Sequence, residues 1–261
     1  MSLDRSLESI VRRDRAVTAA GLGALTLLAW LYLVRLHDET ADMADMGMAI
    51  EAWTLHDALT AVVMWAVMMI AMMLPSVMPA VLLHRRVIQA RLERGVRHSG
   101  SDVLLLAGYF SVWVAFGAVA YAIGMTLATA AMRSIRVSVL VPAATGVALA
   151  AAGGYQLTPW KQSCLRHCRS PLDFFVRHEI RRASDSWRFG VHHGAYCAAC
   201  CWGLMVIQLV LGVMSVPLMA LVALVILLEK QWRHGNLLAR VVGAASVAAG
   251  IFIALRATIR G

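Results

Sequence analysis

The segment from Gly190 to Met205, "GVHHGAYCAACCWGLM", contains three of the five cysteines of the chain and two of its nine histidines. A lone cysteine in a helix is ordinarily a small hydrophobic residue. At about 100° of rotation per residue, however, four donors of this segment share one arc of roughly 100°. Thiolate sulfur and imidazole nitrogen bind soft and borderline metals, so the shared face predicts a metal or redox site. Its members are His193, Cys197, Cys200 and Cys201.

A second group of donors is "CLRHC" at 164–168, within an arginine-rich stretch. Cys164 and Cys168 are one helical turn apart, and His167 lies beside them. Nearby positive charge favours the thiolate, which is the metal-binding form, and a cytosolic location disfavours a structural disulfide. The spacing is not that of a zinc finger, so four ligands would need donors from elsewhere, such as the 193–201 helix. The alternative is a pair of reduced cysteines with no partner.

Methionines form the third group, since nine of the fifteen lie between residues 43 and 78. Met64, Met68 and Met72 fall on a helical stripe roughly 80° wide, with Asp57 on the same side one turn earlier. Thioether sulfur binds Cu(I) without burying an anion, and the preceding "ADMADMGM" is suited to collecting cations. The alternative is that these methionines are flexible fillers of helix interfaces.

The elements that position these donors are membrane spans. With 60% hydrophobic residues, 15% charged residues and a mean hydropathy of +0.70, the chain has the composition of a membrane protein. We predict an all-α, polytopic transmembrane bundle in a single domain, 1–261, with an outer loop at 37–57 and an inner loop at 159–189. Seven spans are predicted, or six if 191–229 is one broken unit: 17–36, 58–83, 103–128, 139–158, 191–213, 215–229 and 237–256.

The basic residues set the predicted orientation. With a cytoplasmic N-terminus, 19 of the 24 Lys and Arg residues fall on the inner side, as the positive-inside rule requires. The net charge of +9 is therefore read as an orientation signal that also attracts lipid headgroups, and nucleic acid is not expected as a partner. The stretch "MSLDRSLESIVRRDR" is too charged for a cleavable signal, so the first helix is expected to be retained. Glu229 and Lys230 are interpreted as an interfacial pair.

Four segments together resemble a bacterial family of predicted metal-binding integral membrane proteins, a domain of unknown function. They are "MWAVMMIAMMLP" at 64–75, "YQLTPWKQSCLRHCRSPLDFF" at 155–175, "HHGAYCAACCWGLM" at 192–205 and "LVILLEK" at 224–230. The similarity runs from about residue 55 to residue 235. It implies that the Met, Cys and His positions named above are the family's candidate ligands, and that the protein resides in the bacterial inner membrane.

Three functions remain open from the sequence. Only the third is an enzyme activity, and the sequence favours it less than the other two. The first is the binding and transfer of a soft metal, Cu(I) before zinc, by the Met, Cys and His donors. The second is a non-catalytic subunit or assembly factor of a membrane metalloenzyme. The expected partners are the lipid bilayer and either such a metalloenzyme or a metal chaperone. The third is thiol–disulfide or quinone-linked redox chemistry at the C-x-x-C pair Cys197 and Cys200.

Overall fold

The computed structural model describes residues 2–45, 55–93, 101–170, 182–211 and 215–260. These residues form eight α-helices and no strand, so the prediction of an all-α fold is confirmed. The helices are α1 (Ser2–Asp45), α2 (Leu55–Glu93), α3 (Asp102–Arg133), α4 (Ile135–Leu157), α5 (Pro159–Arg169), α6 (Ala183–Leu211), α7 (Val216–Gln231) and α8 (Gly235–Arg260).

Within the described ranges, six helices contain segments long and apolar enough to cross a membrane. The number matches the smaller of the two predicted counts. The remaining predicted span, 215–229, forms helix α7, whose 16 residues fall short of the ~20 that a typical span needs. The six segments are Ala16–His37, Leu59–Ala90, Asp102–Arg133, Leu140–Leu157, Ala183–Leu211 and Gly235–Ile259.

Both long connections contain helix. Of the predicted outer loop 37–57, helix α1 includes the residues up to Asp45, and residues 46–54 lie outside the described part of the chain. Within the predicted inner loop 159–189, helix α5 follows directly after α4, and α6 begins at Ala183. Helix α5 starts where it does because the Thr158 hydroxyl accepts a hydrogen bond from the Lys161 N–H at 3.3 Å, and Pro159 occupies the first helical position.

The chain divides into two compact units. The first comprises Met1–Phe110 and Phe174–Gly190, and the second Ser111–Asp173 and Val191–Gly261. In the first unit α1 packs along α2, and the Trp30 indole N–H donates to the Ala71 carbonyl oxygen at 3.1 Å. That bond gives the indole a polar partner on an otherwise apolar helix pair.

In the second unit α4 and α8 pack closely through small residues. A Cβ added at Gly153 would lie 2.7 Å from the Gly243 carbonyl oxygen, and one added at Gly146 would lie 2.6 Å from the Ala254 nitrogen. Only glycine allows the two backbones to approach this far, as expected for helices that associate without a hydrophobic driving force. This seam holds the end of α4, and therefore the start of α5, at a defined place beside α8.

Candidate metal centre

Four donors on one face of α6 are buried together. The exposed fraction is 0% for Cys197 and Cys200, 1% for Cys201 and 6% for His193. The sulfur atoms of Cys200 and Cys201 are 3.3 Å apart, and the Cys200 thiol donates to the Cys197 carbonyl oxygen at 3.2 Å. The arc predicted from helical periodicity is thus an interior face of the second unit.

Helix α5 adds a fifth donor to this face. The Cys168 sulfur lies 3.5 Å from the Cys200 sulfur, although the two residues are 32 positions apart. Buried Lys161 and Leu165 fix the inward side of α5, and Cys168 lies one turn after Cys164. The sequence indicated that the "CLRHC" cysteines would need donors from the following helix, and the structure brings one of the two cysteines to that helix.

Both cysteines of α5 have a thiol pKa above its ordinary value, for different reasons. The bond between Cys168 and Cys197 raises the pKa of the Cys168 thiol well above its ordinary value. Burial raises the pKa of the Cys164 thiol. Both thiols therefore carry their protons at neutral pH, and a metal ion that binds either sulfur must displace a proton.

An ammonium group lies within the sulfur cluster. Lys230 Nζ, at the end of α7, donates to the Cys197 sulfur at 2.8 Å, and Lys230 is only 8% exposed. A positive charge at this distance favours a thiolate. His193 is within electrostatic reach of both Cys197 and Lys230. Sequence reasoning missed Lys230, because its only signal was a lysine at the end of an apolar run.

The interpretation of Glu229 and Lys230 as an interfacial pair is wrong. Glu229 is 1% exposed, and its Oε2 lies 2.6 Å from Nζ of the fully buried Lys161. Lys161 also donates to the Gln156 side chain, and the Arg169 guanidinium donates to the Glu229 backbone carbonyl. Adjacent residues on a helix point in different directions, so the carboxylate of Glu229 meets α5 while Lys230 meets α6.

The other two donors of "CLRHC" lie apart from the sulfur cluster. Cys164 is half-buried, and no sulfur contact to it is recorded among the described residues. His167 is exposed; its Nδ1 lies 3.0 Å from the Ser163 carbonyl oxygen, and its ring stacks on Tyr196 with centroids 4.6 Å apart. His192, also exposed, meets the same tyrosine ring edge-on at 4.9 Å.

The methionine stripe belongs to the first unit. Met68 and Met72 are 4% and 2% exposed, the adjoining Met69 and Met73 are fully buried, and Met64 is half-buried. The side chain of Asp57 lies outside the described part of the chain. The stripe is therefore an interior face of α2, and its role as a ligand set stays a prediction.

The first unit also holds a polar constellation that the sequence did not reveal. His84 Nδ1 lies 2.6 Å from Asp102 Oδ1, and its Nε2 lies 3.0 Å from Ser186 Oγ, which also accepts the Ser101 N–H. This is the connectivity of a Ser–His–Asp triad. However, both His84 and Ser186 are 0% exposed, so the hydroxyl is closed to a substrate and the set instead joins α2, α3 and α6.

Comparison with known proteins identifies the family. Residues 62–253, most of the chain, match the copper chaperone family PpoB2. The chain belongs to this copper chaperone family. No curated protein and no solved structure matches the chain.

Membership of the copper chaperone family confirms the coarser part of the resemblance, a family concerned with metal, and makes copper the metal to test against the donors. Among the residues described, no group of three or more His, Cys, Asp or Glu side chains is positioned to hold a metal ion as it stands. The sulfurs instead touch one another in pairs. Thiolate sulfur is the ligand type that selects Cu(I), so the chemistry of the donor set fits copper as cargo. The expectation of zinc gains no support from the family.

Proposed function

We propose that this protein is a multi-pass membrane copper chaperone that holds Cu(I) between Cys168 on α5 and Cys200 on α6. The single observation that carries the proposal is the 3.5 Å separation of these two sulfurs, with Cys200 fully buried and Cys168 half-buried. Cys197, Cys201 and His193 complete the surroundings from the same face of α6. Two helices that are separate in sequence thus contribute one soft donor each.

Binding of one copper ion between the Cys168 and Cys200 sulfurs requires a larger distance between them. If the copper–sulfur bond is taken as equal to the ~2.3 Å zinc–sulfur bond, two sulfurs on opposite sides of one ion lie about 4.6 Å apart. Cys168 and Cys200 would therefore have to separate by roughly 1 Å. Helix α5 has only 11 residues and joins α4 through a capped turn, so a small shift of α5 is the simplest way to open the pair.

The methionine stripe supplies the collecting side of the proposed route. Met64, Met68 and Met72 offer uncharged sulfur along α2, and Asp57 would attract the cation before it meets them. The orientation inferred from the basic residues puts the acidic approach outside and α5 in the cytoplasm of a bacterium.

The acceptor in this proposal is a protein, either a membrane metalloenzyme or a second metal chaperone. A non-catalytic subunit that inserts copper into such an enzyme is the same chemistry with a permanent partner, and co-purification separates the two. The redox function at Cys197 and Cys200 stays a prediction; none of the five cysteines, all of which are described, forms a disulfide in the structure.

The test is the copper content of the full chain, purified in detergent after loading with Cu(I) under reducing conditions. We expect Cys168→Ser and Cys200→Ser each to lose most of the bound copper, because each removes one of the paired sulfurs. Cys164→Ser is the matched control, a cysteine on the same helix without a recorded sulfur contact, and should retain the copper. Parental copper content in both Cys168→Ser and Cys200→Ser would sink the proposal.

A further inference from the structure

The exposed side of α5 offers one donor that the buried cluster does not use. His167 is exposed beside exposed Arg166, and because a charged arginine is costly in hydrocarbon, we infer that this side of α5 faces water. The ring nitrogen Nδ1 of His167 lies 3.0 Å from the Ser163 carbonyl oxygen. A carbonyl oxygen only accepts hydrogen bonds, so Nδ1 is the donor, and the lone pair of the neutral ring is on Nε2.

The ring is also held in place. It stacks on Tyr196 with an interplanar angle of 9° and centroids 4.6 Å apart. A histidine that donates one ring N–H to a backbone carbonyl, with the other nitrogen left as acceptor, has the arrangement usual for metal-ligating histidines. The described residues place no hydrogen-bond partner on His167 Nε2.

The donors of α5 are graded by burial and softness. At about 100° per residue, Cys164 lies between His167 and Cys168 around the helix axis. His167 is exposed, Cys164 and Cys168 are half-buried, and Cys168 touches the fully buried Cys200. Imidazole is a borderline ligand and thiolate a soft one, so Cu(I) binds more strongly to the cysteines than to the exposed His167.

We propose that His167 Nε2 is the transient ligand through which Cu(I) passes between solvent or an acceptor and the pair Cys168 and Cys200. This inference rests on the proposed function. The step is a ligand exchange: a copper–nitrogen bond to His167 forms as the donor's bond to copper breaks, and a copper–sulfur bond to an α5 cysteine then replaces it. Copper stays Cu(I), no electron moves, and the thiol proton leaves to water.

The proposal predicts that loss of His167 changes the rate of copper loading but not the amount of copper bound at equilibrium. The experiment uses the full chain in detergent with a coloured Cu(I)–bicinchoninate complex as the copper source, followed by stopped-flow absorbance. For His167→Ala we expect the parental amount of copper at equilibrium but a loading rate lower by roughly tenfold. His167→Met, which restores a neutral soft donor, should recover most of the rate.

Arg166→Ala is the matched control, a neighbouring exposed residue on the same helix, and should load at the parental rate. A parental rate in His167→Ala overturns the inference, and so does a lower copper content at equilibrium, because His167 would then be a resident ligand. His167→Gln provides a second variant that retains a polar side chain. Loss of copper in the cysteine variants is measured separately, so failure of the proposed function and failure of this inference give different results.

Discussion

At the scale of single residues, the cysteine cluster differs from a simple group of thiols because the ammonium group of Lys230 contacts it. The carboxylate of Glu229 forms its close ion pair with Lys161 at 2.6 Å, and Lys230 interacts with it electrostatically without a salt-bridge contact. The Lys230 ammonium donates to the Cys197 sulfur at 2.8 Å. A buried cation needs a nearby negative charge, and a thiolate, free or bound to Cu(I), provides it.

Replacing Lys230 tests this electrostatic role. We expect Lys230→Met to lower the affinity for Cu(I) by about 10- to 100-fold, the range seen when a partner of a metal ligand is removed. Lys230→Arg, which keeps the charge, should lose less. Affinity is measured by competition with a Cu(I) chelator of known strength, and Gln231→Met, an exposed neighbour, is the control. An unchanged affinity in Lys230→Met would show that the ammonium does not act on the site.

Helical periodicity predicted the shared face of His193, Cys197, Cys200 and Cys201, because their relative directions depend only on spacing along one helix. It could not predict Lys230 or the contact between Cys168 and Cys200, since both depend on which helices become neighbours. His167 was predicted as a ligand beside Cys168. The structure separates the two, because adjacent residues on a helix point about 100° apart.

At the scale of elements, α5 depends on one buried ion pair and one cap. Lys161 and Glu229 are 0% and 1% exposed, and the Arg169 guanidinium bonds the Glu229 carbonyl at the other end of the helix. Both contacts join α5 to α7, and together they hold Cys168 against Cys200. The sequence predicted 159–189 as an inner loop and did not predict the start of α5 at Thr158–Pro159. The burial of Lys161 could not be predicted, because its partner lies 68 residues away.

A double-mutant comparison tests the ion pair. Breaking a buried pair leaves one charge uncompensated and typically costs about 3–5 kcal/mol, whereas replacing both partners by apolar residues costs far less. We therefore expect Lys161→Met and Glu229→Leu each to lower the free energy of unfolding by that amount, and the double variant to recover most of it. Denaturant unfolding in detergent is the measurement. Strictly additive losses would contradict the assignment.

At the scale of the whole molecule, hydropathy predicted where the long helices lie but not how many cross the membrane. Every predicted span falls largely on a helix, because a run of about 20 apolar residues has few stable alternatives in lipid. The ambiguity is α7: its 16 residues extend about 24 Å, less than the ~30 Å of a typical hydrocarbon core. By length alone, six helices qualify as membrane spans. The packing of the second unit provides a separate argument that α7 crosses as well.

Helix α7 returns the chain along α6. Lys230 near its end touches Cys197, while the few residues of 212–215 join its start to Leu211 at the end of α6. Helix α8 then begins beside Glu229 and runs antiparallel to α4, with Gly243 opposite Gly153. If both α6 and α8 cross the bilayer, the α7 segment between them must cross as well, with local thinning of the bilayer to match its length.

This geometry predicts seven crossings, and with a cytoplasmic N-terminus it predicts an external C-terminus. Six crossings would put both ends in the cytoplasm. The test is a C-terminal fusion to alkaline phosphatase, active only outside, compared with a fusion to green fluorescent protein, which is fluorescent only inside. The N-terminal green fluorescent fusion is the control for orientation. Phosphatase activity at the C-terminus together with fluorescence at the N-terminus supports seven crossings, whereas fluorescence at both ends means that α7 does not cross.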